Sequence, residues 1–332
     1  MGASIGLVKP DIIVVLEVRS GPGPLGSLAS AGGAAASVTL LTWLREGGEQ
    51  WCLVPPLRLV DYELDQKPYT EAICMYYRAD HLDFVGPMGW PQNRPESGFK
   101  VPVPPTDPLG PYAEPFNNAL PQGNHFAGLP WFYTDGQEVL FPGKSNRRPF
   151  LCQFRERAGA QRLITVAASH PSPGVLPSVA GNRLFGWLTK PGNNEVQVFP
   201  GDFNVDQLKS PSFYYQAELI YGVQSNFAPQ AGPTKVIKID NATPAAYLAH
   251  DSIDNILTRY GPGTQPPNPN HAYILNFVSG VPNVFQSLME VALNNYGQYG
   301  FFANDNFRLP KNYGKIAHEK GVSDHMALTL DI

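Results

Sequence analysis

Several carboxylates stand at the ends of apolar, strand-like runs. Glu17 follows the run DIIVVL, Asp202 follows VQVFPG, Asp254 lies within SIDNIL, and Asp324 with His325 precedes MALTLDI. A carboxylate at the end of a buried strand sits on the rim of a sheet, where side chains from several strands converge. One such residue is ordinary. The same placement on separate strands is a pattern, and oxygen donors of this kind suit hard cations such as Mg²⁺. Asn204 follows Asp202 by two positions, so in an extended segment both side chains point the same way and can address one phosphate and its metal. Gly201 before them permits a close backbone approach. His170 ends the run RLITVAAS, and His325 stands in Ser-Asp-His near the C-terminal end. A lone strand-end histidine is more often structural, but a carboxylate beside an imidazole fixes its tautomer and raises its basicity.

The elements that must position these residues are mostly strands. Short β-branched and aromatic runs place strands at 11–16, 51–54, 71–78, 149–154, 162–168, 196–199, 234–239, 253–258 and 326–332. The first is expected to end at Glu17. A helix is expected over 37–46, with a serine start and a Gly47-Gly48 stop. Two more are expected near 178–189 and over 282–295, the latter with Pro in its first turn and Gly297 beyond its end. Many strands with few intervening helices point to an α+β or layered fold of packed sheets flanked by helices. Residues 87–146 carry a Pro every few positions and several aromatics, including Trp90, Tyr112 and Trp131. This stretch reads as an insertion that packs down, either shaping a substrate rim or decorating the surface. The rest of residues 1–332 reads as one domain.

Composition sets the bounds. The 332 residues are 43% hydrophobic, enough for a sizeable core, and only 16% charged. The net charge of −4 carries no basic excess of the kind that advertises nucleic-acid binding, although a small basic surface can hide inside a neutral total. Cys52, Cys74 and Cys152 each sit in an apolar run with no zinc spacing, and they read as buried free thiols. No apolar run approaches the roughly 18 residues of a membrane span, and no basic region precedes an apolar stretch as in a signal peptide.

The motifs occur in an order that resembles the endonuclease/exonuclease/phosphatase superfamily, the DNase I-like fold. The carrying segments are LEV at 16–18, YTEAICMYYR at 69–78, NRRPF at 146–150, SHPSPG at 169–174, GDFN at 201–204, SIDNIL at 252–257 and SDH at 323–325. Within the superfamily, SHPSPG and YTEAICMYYR are most similar to segments of DNase I-type nucleases. The resemblance implies a four-layer α/β/β/α sandwich of two packed mixed sheets, and a divalent cation: Mg²⁺, or Mn²⁺, with Ca²⁺ also admissible. It implies that Glu17 ligates the metal, that Asp202 and Asn204 position water and phosphate, and that Asp202 also contacts the metal. It implies that His325, paired with Asp254, is general base or stabilises charge on the phosphorus. His170, paired with Glu71, would contact the scissile phosphate and help protonate the leaving oxygen. Arg147 would neutralise a phosphate oxygen, with Arg148 a near alternative, and Asp324 would hold the metal or orient His325.

The pattern departs from the family at its start. The family opens with a strand whose Asn joins the metal site, and the ten residues before Asp11 contain no Asn. A thinner metal site is therefore expected. Three functions compete on this scaffold: a nuclease acting on nucleic acid, a phosphatase or lipid-headgroup phosphodiesterase acting on a phospholipid or small phosphate ester, and a non-catalytic binding protein. The aromatic insertion and acidic charge favour the second, because aromatics can line a small pocket. The absent Asn strand favours the third.

Overall fold

A computed structural model of the chain describes residues 9–20, 29, 31–58, 70–84, 133–134, 137–138, 149–171, 185, 190–206, 211–227, 234, 236–238, 247–249, 252–267, 272–275, 325 and 327–332. Two sheets form its centre. The first joins β1 (Ile12–Ser20), β3 (Thr70–Arg78) and β2 (Trp51–Arg58) in that order, all antiparallel. The second has the order β10 (Gln224–Ser225), β13 (Asp254–Tyr260), β9 (Glu195–Asp202), β8 (Leu163–Ala168), β7 (Phe150–Glu156), β4 (Leu82–Phe84). Only its β8–β9 pair is parallel, so this sheet is mixed. Three small two-stranded antiparallel sheets accompany them: β5 (Tyr133–Thr134) with β6 (Gln137–Glu138), β11 (Val236–Lys238) with β12 (Tyr247–Ala249), and β14 (Ala272–Leu275) with β15 (Ala327–Leu330).

Alternation along the strands builds the layers, because successive side chains point to opposite faces. Val54, Ile73, Met75 and Tyr77 of the first sheet meet Phe150, Cys152, Phe154, Ile164, Val166, Val196 and Val198 of the second in one buried core. Tyr77, Phe84 and Phe154 form an aromatic cluster there, with ring centroids 5.2–6.1 Å apart. Each fully buried side chain of this size contributes about 1.5–3 kcal/mol. The other face of the first sheet, with Trp51, Leu53, Cys74 and Tyr76, is covered by Val38, Leu40, Leu41 and Leu44 of helix α1 (Ala31–Arg45). The other face of the second, with Leu151, Ala167, Phe199 and Leu257, is covered by Phe213, Tyr214 and Ala217 of helix α2 (Pro211–Tyr221). Helix, sheet, sheet and helix therefore stack as the four layers expected.

Several boundaries differ from the sequence reading. Helix α1 begins at Ala31, six positions before the expected serine start, and runs through Gly32 and Gly33. Ser37 is mid-helix, where its Oγ donates back to the Gly33 carbonyl at 2.9 Å. Burial of the helix on the sheet outweighs the glycine penalty of roughly 1 kcal/mol per residue. The stop is where expected, with Gly48 at φ +82° after the last turn. Strand β1 does not end at Glu17 but continues to Ser20 through a bulge. Cys74 and Cys152 are buried free thiols and Cys52 is half-buried, as read. Apart from Phe185 and strands β5 and β6, the helices expected at 178–189 and 282–295 and the insertion at 87–146 lie outside the described residues. Among those described, no helix is long and apolar enough to cross a membrane.

Gly201 shows how tightly the site end of the second sheet is built. It lies in parallel contact with Ser169, and a Cβ there would run into the Ser169 carbonyl oxygen. That obstacle is backbone and cannot step aside. Gly201→Ala is expected to lower the unfolding free energy from urea titration by about 1–3 kcal/mol; an unchanged midpoint would show that the β8–β9 ends are loosely joined.

Candidate active site

The strand ends that carry the predicted residues converge at one end of the sandwich. Strand β8 runs directly into His170, and the neighbouring parallel strand β9 ends on Asp202. Asp254 opens the antiparallel β13 and sits opposite Asp202 in register. Glu17 and Glu71 come from the facing sheet, on the paired strands β1 and β3. His325 stands just before β15.

Asp202 is the meeting point. It is 4% exposed, and its Oδ2 lies 3.3 Å from His170 Nε2 and 3.7 Å from His325 Nε2. Each imidazole has a second carboxylate behind it. His170 Nδ1 is 3.0 Å from Glu71 Oε2, and His325 Nδ1 is 2.9 Å from Asp254 Oδ2. Asp254 hydrogen-bonds the Nδ1 edge of His325 and Glu71 stands at ion-pair distance from that of His170, so both Nε2 edges face Asp202. Glu17 Oε1 completes the cluster at 3.4 Å from His170 Nε2, and its side chain is 52% exposed, at the mouth of the site.

Local backbone features aim these groups. In β1 the register slips by one residue between Val15 and Val18, a bulge that leaves Glu17 at φ +56°. Bulges re-aim side chains next to functional sites, and a positive φ at a non-glycine residue stores strain. After Asp202 the chain also leaves the extended form. Asn204 sits at φ +52°, its N–H donates to Asp202 Oδ1 at 2.9 Å, and its side-chain amide donates to the Pro171 carbonyl at 3.0 Å. The side-by-side projection expected for Asp202 and Asn204 is therefore replaced by a turn in which Asn204 buttresses Asp202 and ties it to the His170 loop.

Thr234 was not recognisable in the sequence. Its buried Oγ1 accepts the N–H groups of Ile253 and Asp254 at 3.2 and 3.1 Å, fixing the start of β13. A single threonine in a Gly-Pro-Thr-Lys stretch carries no local signal of that role. Arg147, Arg148 and Asp324 lie outside the described residues. The first two immediately precede Pro149 and Phe150, and Phe150 pairs with Ala168, two residues before His170.

The donor set suits a divalent cation. One carboxylate oxygen each from Glu17 and Asp202 and a His170 nitrogen lie within 4.8 Å of one another, as do donors of Asp202, Asp254 and His325. The carboxylates fit Mg²⁺ or Mn²⁺, which prefer oxygen ligands.

The two buried aspartates are pushed apart electrostatically. Burial raises the Asp202 carboxyl, but the His170 hydrogen bond, both imidazoles and the Asn204 N–H outweigh it and hold it below its ordinary value. Asp254 moves the other way: burial raises it, His325 opposes, and the nearby Asp202 charge adds to the rise. Two carboxylates held in opposite directions are the arrangement acid–base chemistry uses.

The four layers make the chain a DNase I-like α+β sandwich of two packed sheets flanked by helices. No protein-family model matches the sequence, and no curated protein matches it. Among solved structures the chain is similar to an endonuclease/exonuclease/phosphatase family protein from Leptotrichia buccalis C-1013-b, with 12% identity, TM-score 0.47, and coverage of 100% of this chain and 90% of that one. It is similar to D. rerio TDP2 complexed with single-strand DNA product, with 11% identity, TM-score 0.44, and coverage of 85% and 82%. It is similar to the human Nocturnin catalytic domain with bound sulfate, with 10% identity, TM-score 0.43, and coverage of 98% and 83%.

The depressed Asp202 carboxyl has a consequence for acid stability. A group with a native pKa below its unfolded one stabilises fully above the unfolded value, here 3.8, and loses that contribution as pH falls through the native value. In chelator-treated buffer, wild type should lose more stability than Asp202→Asn between about pH 5 and about pH 2. Parallel denaturation midpoints across that range would contradict the assignment.

Proposed function

We propose that the chain is a divalent-metal-dependent phosphodiesterase, and that its substrate is nucleic acid. The observation that carries this reading is the convergence of the His170–Glu71 and His325–Asp254 pairs on Asp202. Hydrolysis of a phosphodiester in line needs a deprotonated water on one side of phosphorus and a proton donor on the other. His325 Nε2, with Asp254 behind it, accepts the proton of the attacking water as its oxygen bonds to phosphorus. His170, held by Glu71, gives a proton to the leaving oxygen as the old P–O bond breaks. Asp202, kept ionised, orients the water and holds both imidazoles in place. Glu17 and Asp202 would hold Mg²⁺ or Mn²⁺, which when bound supplies positive charge beside the phosphate. Asn204 buttresses Asp202, and Arg147 or Arg148 neutralises a phosphate oxygen. Asp324 assists the metal or His325.

A second reading on the same groups is a phosphatase or lipid-headgroup phosphodiesterase. The net charge of −4 favours it, because a polyanionic nucleic acid gains little from an acidic surface.

Supercoiled plasmid incubated with Mg²⁺ or Mn²⁺ should be nicked, and chelator should abolish nicking. If phosphoinositides, sphingomyelin or nucleotides turn over and plasmid does not, the second reading replaces the first. His325→Ala and His170→Ala should each lower the rate about 10²–10⁴-fold with circular dichroism unchanged; a full rate in either removes that imidazole from the chemistry. Glu17→Gln should abolish the Mn²⁺ heat seen in titration calorimetry, and undiminished binding would place the cation elsewhere.

A further inference from the structure

The side chain of Arg162 lies at the far end of the second sheet from the site, in the turn that enters β8. Its Nε and Nη2 grip the Glu156 carboxylate at 2.5–3.1 Å, and its own N–H also donates to Glu156 Oε2 at 3.0 Å. The guanidinium is thereby fixed on the β7–β8 turn. The same Nη2 donates to the main-chain oxygen of Ile332 at 3.0 Å. Ile332 packs its side chain against the core between the sheets.

We propose that Arg162 is a positioning residue that ties together the bases of the two strands delivering His170 and His325. This rests on the reading of those two imidazoles as the working pair. From Arg162, eight residues along β8 lead to His170. From His325, seven residues along β15 lead to Ile332. At about 3.3 Å per residue these runs span roughly 26 and 23 Å. They are close in length and opposite in direction. One pair of their ends meets at the Arg162 guanidinium, and the other meets over Asp202, where Oδ2 is 3.3 Å from His170 Nε2 and 3.7 Å from His325 Nε2.

The tie matters because β15 packs beside β13 without a backbone ladder to it among the described residues, so that packing does not by itself set its register. Among the described residues its backbone ladder is with β14 alone, in a separate two-stranded sheet. That ladder fixes the register of β15 against β14, not against β13 of the sheet that carries Asp202 and Asp254. A slip of one residue would carry His325 about 3.3 Å along and turn its side chain to the other face. The bond of 2.9 Å to Asp254 leaves no room for that. Arg162 anchors the strand at one end, and the His325–Asp254 pair locks it at the other.

Arg162→Met and Arg162→Lys test this in the full chain, labelled with ¹⁵N-histidine. Arg162→Met should displace the His325 imidazole resonances while those of His170 stay in place. On a chromogenic phosphodiester with Mn²⁺ its kcat should fall about 10-fold or more with KM changed less than about two-fold, as expected when reacting groups are misplaced from a distance. Lysine keeps one donor toward the Ile332 oxygen and should recover much of the loss. An unmoved His325 resonance overturns the proposal, and so does an equal displacement of His170, which would mean general loosening. Should the methionine variant fail to fold, Arg162→Ser is read in its place: a displacement confined to His325 supports the tie, and none overturns it. A wild-type chain without turnover on any phosphoester would remove the functional reading, and the resonance comparison would still decide whether Arg162 places His325.

Discussion

The structure depends on keeping one carboxylate ionised inside it. Asp202 is almost wholly buried at the end of β9. An isolated buried carboxylate would cost several kcal/mol or take up a proton. Here two imidazoles and a backbone N–H offset that cost. Neither imidazole is local to Asp202 in sequence, so the compensation exists only when β8, β9 and β15 are all in place. The two further carboxylates behind the imidazoles extend the requirement to β3 and β13. Much of the sandwich is thus committed to a single buried charge, and the groups that stabilise it are those proposed to move protons during hydrolysis.

The packing explains how such a network is held steady. The core between the sheets is apolar up to the level of Ala168 and Val198 and turns polar at His170 and Asp202 on the same face of the same strands. The boundary between core and site is therefore a change of residue type along continuous strands rather than a change of element. Sites on rigid elements are placed more accurately than sites on loops. Where the proposed chemistry needs a side chain off the strand direction, the chain accepts strain instead. Glu17 in its bulge and Asn204 after β9 both take positive φ, and both lie within the cluster around Asp202.

The strands and most of the cluster were legible because their signal is local. Runs such as DIIVVL and RLITVAAS are β-branched and apolar and form strands, the first half-buried and the second largely buried, and a charged residue at such an end falls on the rim wherever the sheet goes. The pairings His170 with Glu71 and His325 with Asp254 came from resemblance rather than spacing, since partners separated by 99 and 71 residues leave no local trace. What stayed hidden depends on three dimensions. The bulge at Glu17 is set by where β3 lies, and the start of α1 by a sheet face that makes Gly32 and Gly33 tolerable. Thr234 works only because its hydroxyl meets two N–H groups of a distant strand. The turn at Asn204 overrode the extended geometry because the Pro171 carbonyl and the Asp202 carboxylate both needed a donor at that point.

Two kinds of support therefore meet at Asp202, and they differ in how they are made. His170 belongs to the main sheet and arrives by continuation of β8 beside β9, so its position is as rigid as the core beneath it. His325 arrives on a strand whose described ladder lies outside that sheet, and side chains place it: Asp254 at one end, Arg162 at the other. Side-chain contacts are softer than a backbone ladder, because each can open without the rest. If either imidazole is to shift as substrate and cation enter, the physics favours His325, and its distance of 3.7 Å from Asp202, against 3.3 Å for His170, already places it further from the shared carboxylate. The rigid imidazole suits a role fixed relative to the sheet, and the adjustable one suits contact with a water whose position is set by the substrate.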